Sequence, residues 1–502
     1  MKREILMDSL CGQKRLALLE DDALCEIYVE RAGSESISGN IYAGHVENVL
    51  PGMNAAFVDI GLEKNAFLYA GDIQVDTRGE QELTDALSDL NIRDLVRPGQ
   101  QILVQVIKEP GGTKGPRVSS HVTLAGRLLV LIPTMRYVGV SRKITDQDER
   151  ARLRACAESL LENGCCGMIM RTVASGVAED LLRAEYRTLV EKWKAIQKRG
   201  AVARAPALVY GDSGLVSRAV RDMLDAETFA VTTDDGALFA ELTESAKFNA
   251  PAYEDRIRLH TGDVPLFDAR GIDAEIAGAL SRRVWLKSGG YLVIDYTEAL
   301  TVIDVNTGKY VGKNSLSDTI FKTNSEAAVE IARQLRLRDV GGIVIVDFID
   351  MDTQEQRDAL LSAFREAIAR DRTHTNVADI TSLGLVELTR KKTRPPLHRL
   401  LKHVCEACDG TGLVDDYETV ARRALYEVRR RHLAQPDQAF IVTVPRQVAG
   451  ILITIGAPPG VSAHVVGADL PPGEIIVEAL DRSMLPDGAK LMPEHNERLR
   501  SK

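Results

Sequence analysis

Long apolar runs are missing from this 502-residue chain: none approaches the roughly 20 residues that span a bilayer. The basic start, MKREILMD, has no apolar signal-peptide core. Membrane insertion is not expected, and a cytoplasmic location is. Cysteine is scarce, with seven scattered through the sequence, an odd number that fits a reducing compartment and excludes a disulfide framework. An excess of positive charge is also absent. The 63 basic residues are outnumbered by 72 acidic ones, for a net charge of −9, which excludes a protein that coats nucleic acid indiscriminately. Any polyanion must be held by local patches or by a metal. Hydrophobic residues make up 45% of the chain, and the length suggests about three or four domains.

The chain is organised around residues 288–352. Residues 300–304 (LTVID) and 343–347 (IVIVD) are short, β-branched runs that predict buried strands. Between them, residues 318–337 place Ile320, Phe321, Ala327, Ala328, Ile331, Ala332 and Leu335 at helical spacing, with Ser317 or Asp318 as N-cap. A strand–helix–strand crossover joins parallel strands, so Asp304 and Asp347 should emerge at one carboxyl edge. Two carboxylates there, on strands about 5 Å apart, repel unless a cation lies between them, and hard oxygen ligands suit Mg²⁺ or Mn²⁺. The structural alternative is that one Asp caps a turn and the other pairs with Arg336 or Arg338.

Upstream, residues 1–35 read as three short strands, too small a meander to stand alone. Residues 212–280 alternate helix and strand patterns, and their expected role is to complete that meander, making the intervening region an insertion. Within it, residues 36–118 carry five short strands with an acidic insertion near 72–89, which suits a small oligonucleotide-binding (OB) barrel. Phe57 and Phe67 could stack on bases, with Lys114 and Arg117 on phosphates, or both rings could fill the core. Residues 119–211 include a strand ending in Arg171 and Thr172, a pair able to clamp a phosphate or simply to lie in solvent.

Downstream, Arg390, Lys391, Lys392, Arg394, Arg399 and Lys402 place six basic residues in thirteen positions, close in sequence to the aspartates. They could hold a polyanion or form a solvated loop. Cys405 and Cys408 have zinc-thiolate spacing but no second pair. Zinc completed by His398 or His403, a redox dithiol, and half a site shared with a second chain all remain open. Residues 417–502 read as a small domain ending in a tail, 492–502, expected to be mobile.

Four segments taken together resemble the ribonuclease E/G family of bacterial endoribonucleases over roughly residues 1–415. They are the S1-like phrase GHVENVLPGMNAAFVDIG, then LKSGGYLVIDYTEALTVIDVNTG, then NSEAAVEIARQLRLRDVGGIVIVDFIDM, and the CxxCxGxG turn. The long C-terminal extension of some members is not seen, which leads to the expectation of the family's shorter type. The resemblance implies a multidomain α/β and β fold. An S1-like OB barrel (36–118) and a 5′-sensor region (119–211) interrupt an RNase H-like subdomain (1–35 plus 212–280). A DNase I-like α/β subdomain (281–400), a zinc link (401–416) and the small C-terminal domain follow.

The resemblance also implies a single-strand-specific, Mg²⁺-dependent endoribonuclease of rRNA maturation and mRNA decay that leaves 5′-phosphate and 3′-hydroxyl ends. On this reading Asp304 and Asp347 bind Mg²⁺ and Asn306 orders their site. Phe57, Phe67 and Lys114 contact RNA, while Gly126, Val130, Arg171 and Thr172 recognise a 5′-monophosphate. Cys405 and Cys408 share structural Zn²⁺ with a second chain in a homodimer or homotetramer, and Glu406 stands where the family's link commonly has Pro. The competing readings are a non-catalytic S1-type RNA-binding protein and a Mg²⁺-dependent phosphatase.

Overall fold

The computed structural model describes residues 2–33, 36–74, 91–110, 114–135, 137–161, 166–211, 214–308, 316–480 and 488–493. The chain separates into two compact units, Met1–Leu400 and Leu401–Lys502. Among the described residues no helix is long and apolar enough to cross a membrane. The acidic insertion from residue 75 and the tail from residue 494 lie outside the described residues.

Among the described residues, the first unit contains four sheets. Strands Arg3–Leu10, Gln13–Glu20 and Ala23–Arg31 form two hairpins whose two-residue turns, Cys11-Gly12 and Asp21-Asp22, all have positive φ. That conformation matches the twist of the flanking strands. The meander is not left open, because Arg3–Leu10 pairs in parallel with Thr228–Thr233, which pairs in parallel with Ile257–Leu259. Nearby, Leu215–Arg218 is α-helical and Ala219–Met223 runs on as a π turn, with the Val220 and Leu224 carbonyls accepting from the Arg127 guanidinium.

Ile41–Leu50, Ala55–Asp59, Ala66–Tyr69, Arg117–Ser119 and Gln101–Lys108 close on one another as a five-stranded barrel. Val46, Ala56, Val58, Leu68, Val104, Val106 and Val118 fill it. Ala207–Tyr210 adds to the barrel's first strand after a long excursion. That excursion builds a separate four-stranded sheet, ordered Val138–Val140, Gly167–Met170, Leu129–Ile132, Leu124–Ala125, packed on helices Gln147–Leu161 and Glu179–Val202.

The fourth sheet has six strands in the order Arg283–Trp285, Tyr291–Tyr296, Leu300–Asn306, Gly342–Asp347, Leu385–Arg390, Thr375–Ile380. Helices Leu316–Leu337 and Gln354–Ala369 cover one face, where Ile303, Val305, Val344, Val346, Val386 and Leu388 meet Ala328, Ile331, Leu335, Leu360 and Phe364. Alternate residues of these strands point to the other face. The first helix starts earlier than its apolar pattern suggests. Ser317 and Asp318 therefore lie in its first turn rather than capping it, and Ser317 hydrogen-bonds Gln356.

The second unit is a four-stranded sheet, Ile476–Leu480, Ala439–Pro445, Ala463–Ala468, Lys490–Leu491, packed against helices Tyr417–Ala434 and Arg446–Ile455.

Candidate active site

Leu300–Asn306 and Gly342–Asp347 are parallel neighbours, and their register places Asp304 directly beside Asp347. Both side chains are exposed, on the face away from the helices and near the carboxyl ends of their strands. The Asn306 Nδ2 donates to Asp304 Oδ2 at 2.7 Å, which fixes one carboxylate oxygen and leaves the other available. Partial burial raises the Asp347 pKa, and the like charges of Asp304 and Asp350 push it further up. That is the electrostatic signature of a site short of positive charge.

The structural alternative for the pair does not hold. Arg336 is committed to Glu20 at 2.8 Å and Glu26 at 2.8 Å, and Arg338 to the Gln334 side chain and the Ser281 carbonyl. Among the described residues no ion pair reaches Asp304 or Asp347. Two acceptor-only groups side by side, one oriented by an amide, fit a hard divalent cation.

The backbone around the pair is held closely. A Cβ on Gly290 would fall 2.8 Å from the Asn306 carbonyl, and one on Gly308 would fall 2.4 Å from that of Gly289. Only glycine lets the 288–290 turn lie against the end of the aspartate strand. Beyond Asp347, the fully buried Asn324 donates to the Ile349 carbonyl at 2.7 Å and accepts from the Ile349 amide at 3.1 Å. This clamp positions the segment that carries Asp350. Asn324 was missed by the sequence reading, although it lies on the apolar stripe of its helix, where a polar side chain must find a buried partner.

In the barrel, Phe57 and Phe67 are cross-strand partners with ring centroids 6.1 Å apart, edge to face. Both are half-buried and lie outside the barrel core, so neither ring is the filler that composition favours. Lys114 is exposed. Arg117 is not the open phosphate ligand expected, because its guanidinium pairs with Asp72 at 2.6 Å.

The four 5′-pocket candidates share one neighbourhood. Arg171 donates to the Gly126 carbonyl at 2.6 Å, its neighbour Thr172 hydrogen-bonds Ser141 at 2.8 Å, and Val130 pairs in register with Ile169. Arg171 also pairs with Asp222 at 2.7 Å, so a phosphate there would compete with a carboxylate. Burial pushes Asp222 up, but Arg221 and Arg171 more than offset it and hold the carboxyl below its ordinary range.

The basic run needs correction. Gly342, not Asp347, is the partner of Arg390, so the run begins at the opposite end of the strand from the aspartates, about 17 Å away. Arg390 is buried between Asp371 and Asp339. Arg394 pairs with Asp339 at 2.7 Å and stacks over Tyr28, its guanidinium carbon 3.7 Å from the ring centroid. These two residues are structural.

In the second unit, Cys405 and Cys408 lie on a turn. The Gly412 amide donates to Cys408 Sγ at 3.3 Å and, with a further hydrogen bond from Cys405, lowers the Cys408 pKa, which favours a thiolate. Among the described residues no group of three metal-capable side chains gathers. The chain thus offers two thiols, a donor set that suits part of a zinc site.

An OB-type barrel and an exposed carboxylate pair on an α/β sheet thus lie in one compact unit. The model of the ribonuclease E/G family matches residues 123–393. Ribonuclease G of Haemophilus influenzae is 42% identical over 451 residues, covering 90% of this chain and 92% of that protein. Ribonuclease G of Escherichia coli K12 is 42% identical over 456 residues with the same coverage. Ribonuclease E of Haemophilus influenzae is 36% identical over 454 residues but is covered over only 48% of its length. The chain belongs to the ribonuclease E/G family.

Proposed function

We propose that this chain is a Mg²⁺-dependent, single-strand-specific endoribonuclease that leaves 5′-phosphate and 3′-hydroxyl ends and favours 5′-monophosphorylated RNA. The observation that carries this reading is the register pairing of Asp304 with Asp347, with no compensating cation among the described residues. Asp304 and Asp347 hold the metal, and Asn306 keeps one Asp304 oxygen turned away from it. When bound, a divalent cation there supplies Lewis-acid polarisation of a phosphate oxygen and a water of lowered pKa. Phe57 and Phe67 present an aromatic ledge for the bases of the strand, and exposed Lys114 offers charge to its phosphates. Gly126, Val130, Arg171 and Thr172 receive the 5′-phosphate, which displaces Asp222 from Arg171 as it binds.

The Cys405 and Cys408 thiolates contribute half of a Zn²⁺ site whose other half comes from a second copy, giving a dimer or a dimer of dimers. The substrates on this reading are rRNA precursors and mRNA in the cytoplasm.

The direct test uses a labelled single-stranded oligoribonucleotide bearing a 5′-monophosphate or a 5′-hydroxyl, with Mg²⁺ or with chelator. Cleavage only with Mg²⁺, faster on the monophosphate, is expected. Binding without cleavage would favour the non-catalytic alternative, and cleavage in chelator would sink the metal assignment.

A further inference from the structure

We propose that Trp285 and Tyr291 form a base-stacking subsite on the open face of the catalytic sheet, occupied by a nucleotide of the strand cut at Asp304 and Asp347. This inference rests on the reading of that pair as the cleavage site.

Register connects the two places. Trp285 pairs with Tyr291, Tyr291 pairs with Asn306, and Asn306 holds Asp304. Cross-strand partners share a face, so the indole, the phenol and the catalytic pair all look out from the same side of the sheet. Two strand spacings, about 10 Å, separate the strand of Trp285 from that of Asp304. A single strand lying across the sheet from the carboxylates passes the strand of Tyr291 and then meets the indole.

Packing does not account for Trp285. Its neighbours Val284 and Leu286 contribute to the core under the sheet, whereas the indole stays 64% exposed on the other side. It is held in place all the same. Its ring sits 5.3 Å from that of Tyr291 at an interplanar angle of 62°. The Arg283 guanidinium lies over both rings, 4.5 Å from the Tyr291 centroid and 5.7 Å from that of Trp285.

An aromatic platform fixed by a cation and left open to solvent is the construction that stacks bases without choosing among them. The charges around it suit an anionic strand. Arg283 is exposed over the rings, Lys287 is exposed two residues after Trp285 in the chain, and the carboxylate Asp295 is already paired with Arg282. A nucleobase stacks on Trp285, its phosphate faces Arg283, and the chain continues toward Asp304.

The test walks 2-aminopurine along a 5′-monophosphorylated oligoribonucleotide, one position at a time around the scissile phosphate, bound to the full-length Asp304→Asn protein. Fluorescence should be quenched at a position adjacent to the cut, lose that quenching when Trp285→Ala is added, and keep it with Trp285→Phe. In the cleaving protein, Trp285→Ala should raise KM about ten-fold and leave kcat within about two-fold. An abasic nucleotide at the same position should weaken the native protein equally and the Trp285→Ala protein not at all.

A quenching profile indifferent to Trp285, or an abasic penalty equal in both proteins, overturns the subsite. So does a Trp285→Ala change confined to self-association. Failure of the native protein to cleave would defeat the nuclease reading instead, and the binding profile would still decide the subsite.

Discussion

The first unit treats two sets of carboxylates in opposite ways. Glu20 and Glu26, on the N-terminal meander, are buried against Arg336 of the helix Leu316–Leu337, and Asp339 and Asp371 enclose Arg390. Asp304 and Asp347, at the two ends of the same strand–helix–strand unit, face each other, an amide and a further carboxylate. Buried charge that is matched within the chain stabilises only by contrast with its unmatched state. Exposed like charge that is left unmatched must be compensated from outside the chain. The first arrangement ties the N-terminal meander to the helix Leu316–Leu337, and the second is the one that suits the cation proposed above.

The comparison breaks most sharply at Asp304. Asp304→Asn removes one carboxylate and keeps the shape, so the proposed cation would lose half its anchor while the proposed stacking and phosphate contacts elsewhere would remain. Turnover should fall by about 10²–10³-fold or more, RNA affinity should stay within a few-fold, and the thermal midpoint should hold steady or rise, because Asp347 loses a repelling neighbour. Quantitative cleavage assays and thermal melts check all three. A large drop in melting temperature would place Asp304 with the structural carboxylates.

Arg336→Leu probes the opposite case. It strands Glu20 and Glu26 in the interior and should cost about 3–5 kcal/mol, read as a lower urea midpoint at pH 7, while folded protein still cleaves. Burial alone would push Glu26 up, but the Arg336 and Arg372 charges and the hydrogen bonds from Arg336 and Tyr28 bring it down to about 2, from an ordinary 4.5. A carboxyl whose folded pKa is depressed contributes stability above its unfolded pKa and loses it as pH falls through the folded one. The gap between native protein and variant should therefore narrow from about pH 4.5 down toward pH 2. A gap independent of pH would show that packing of the arginine, not its charge, is what counts.

The sequence made the aspartate pair legible because three local signals agreed: β-branched runs, a helical stripe between them, and the crossover rule that makes such strands parallel. The sequence also alternates Phe57 and Phe67 with Ala56, Val58, Ala66 and Leu68, which points the rings out of the barrel. Partners distant in the chain were not legible. Arg390 and Arg394 look like the rest of a basic run, and only the fold brings Asp371, Asp339 and Tyr28 to them. The Arg117–Asp72 and Arg171–Asp222 pairs are hidden in the same way. Proximity in sequence also misled: a strand of six residues carried Arg390 to the far end of the sheet from Asp347. Trp285 was overlooked because an isolated tryptophan carries no periodicity, and its importance appears only once register places it two strands from Asp304.

The finest distinction between the two sets lies in orientation rather than charge, and Asn306 isolates it. Its amide donates to one Asp304 oxygen, so Asn306→Ala leaves both carboxylates present and frees one to rotate. Outer partners of metal ligands are worth about 10–100-fold in metal affinity. Half-saturation by Mg²⁺ should rise by that factor in the cleavage assay, with most of the rate recovered at saturating Mg²⁺ and the urea midpoint close to native. A rate that stays low at every Mg²⁺ concentration would mean that the amide acts on the reacting phosphate itself. A native Mg²⁺ dependence would mean that strand geometry alone aims Asp304, and that the pair's register suffices without its amide neighbour.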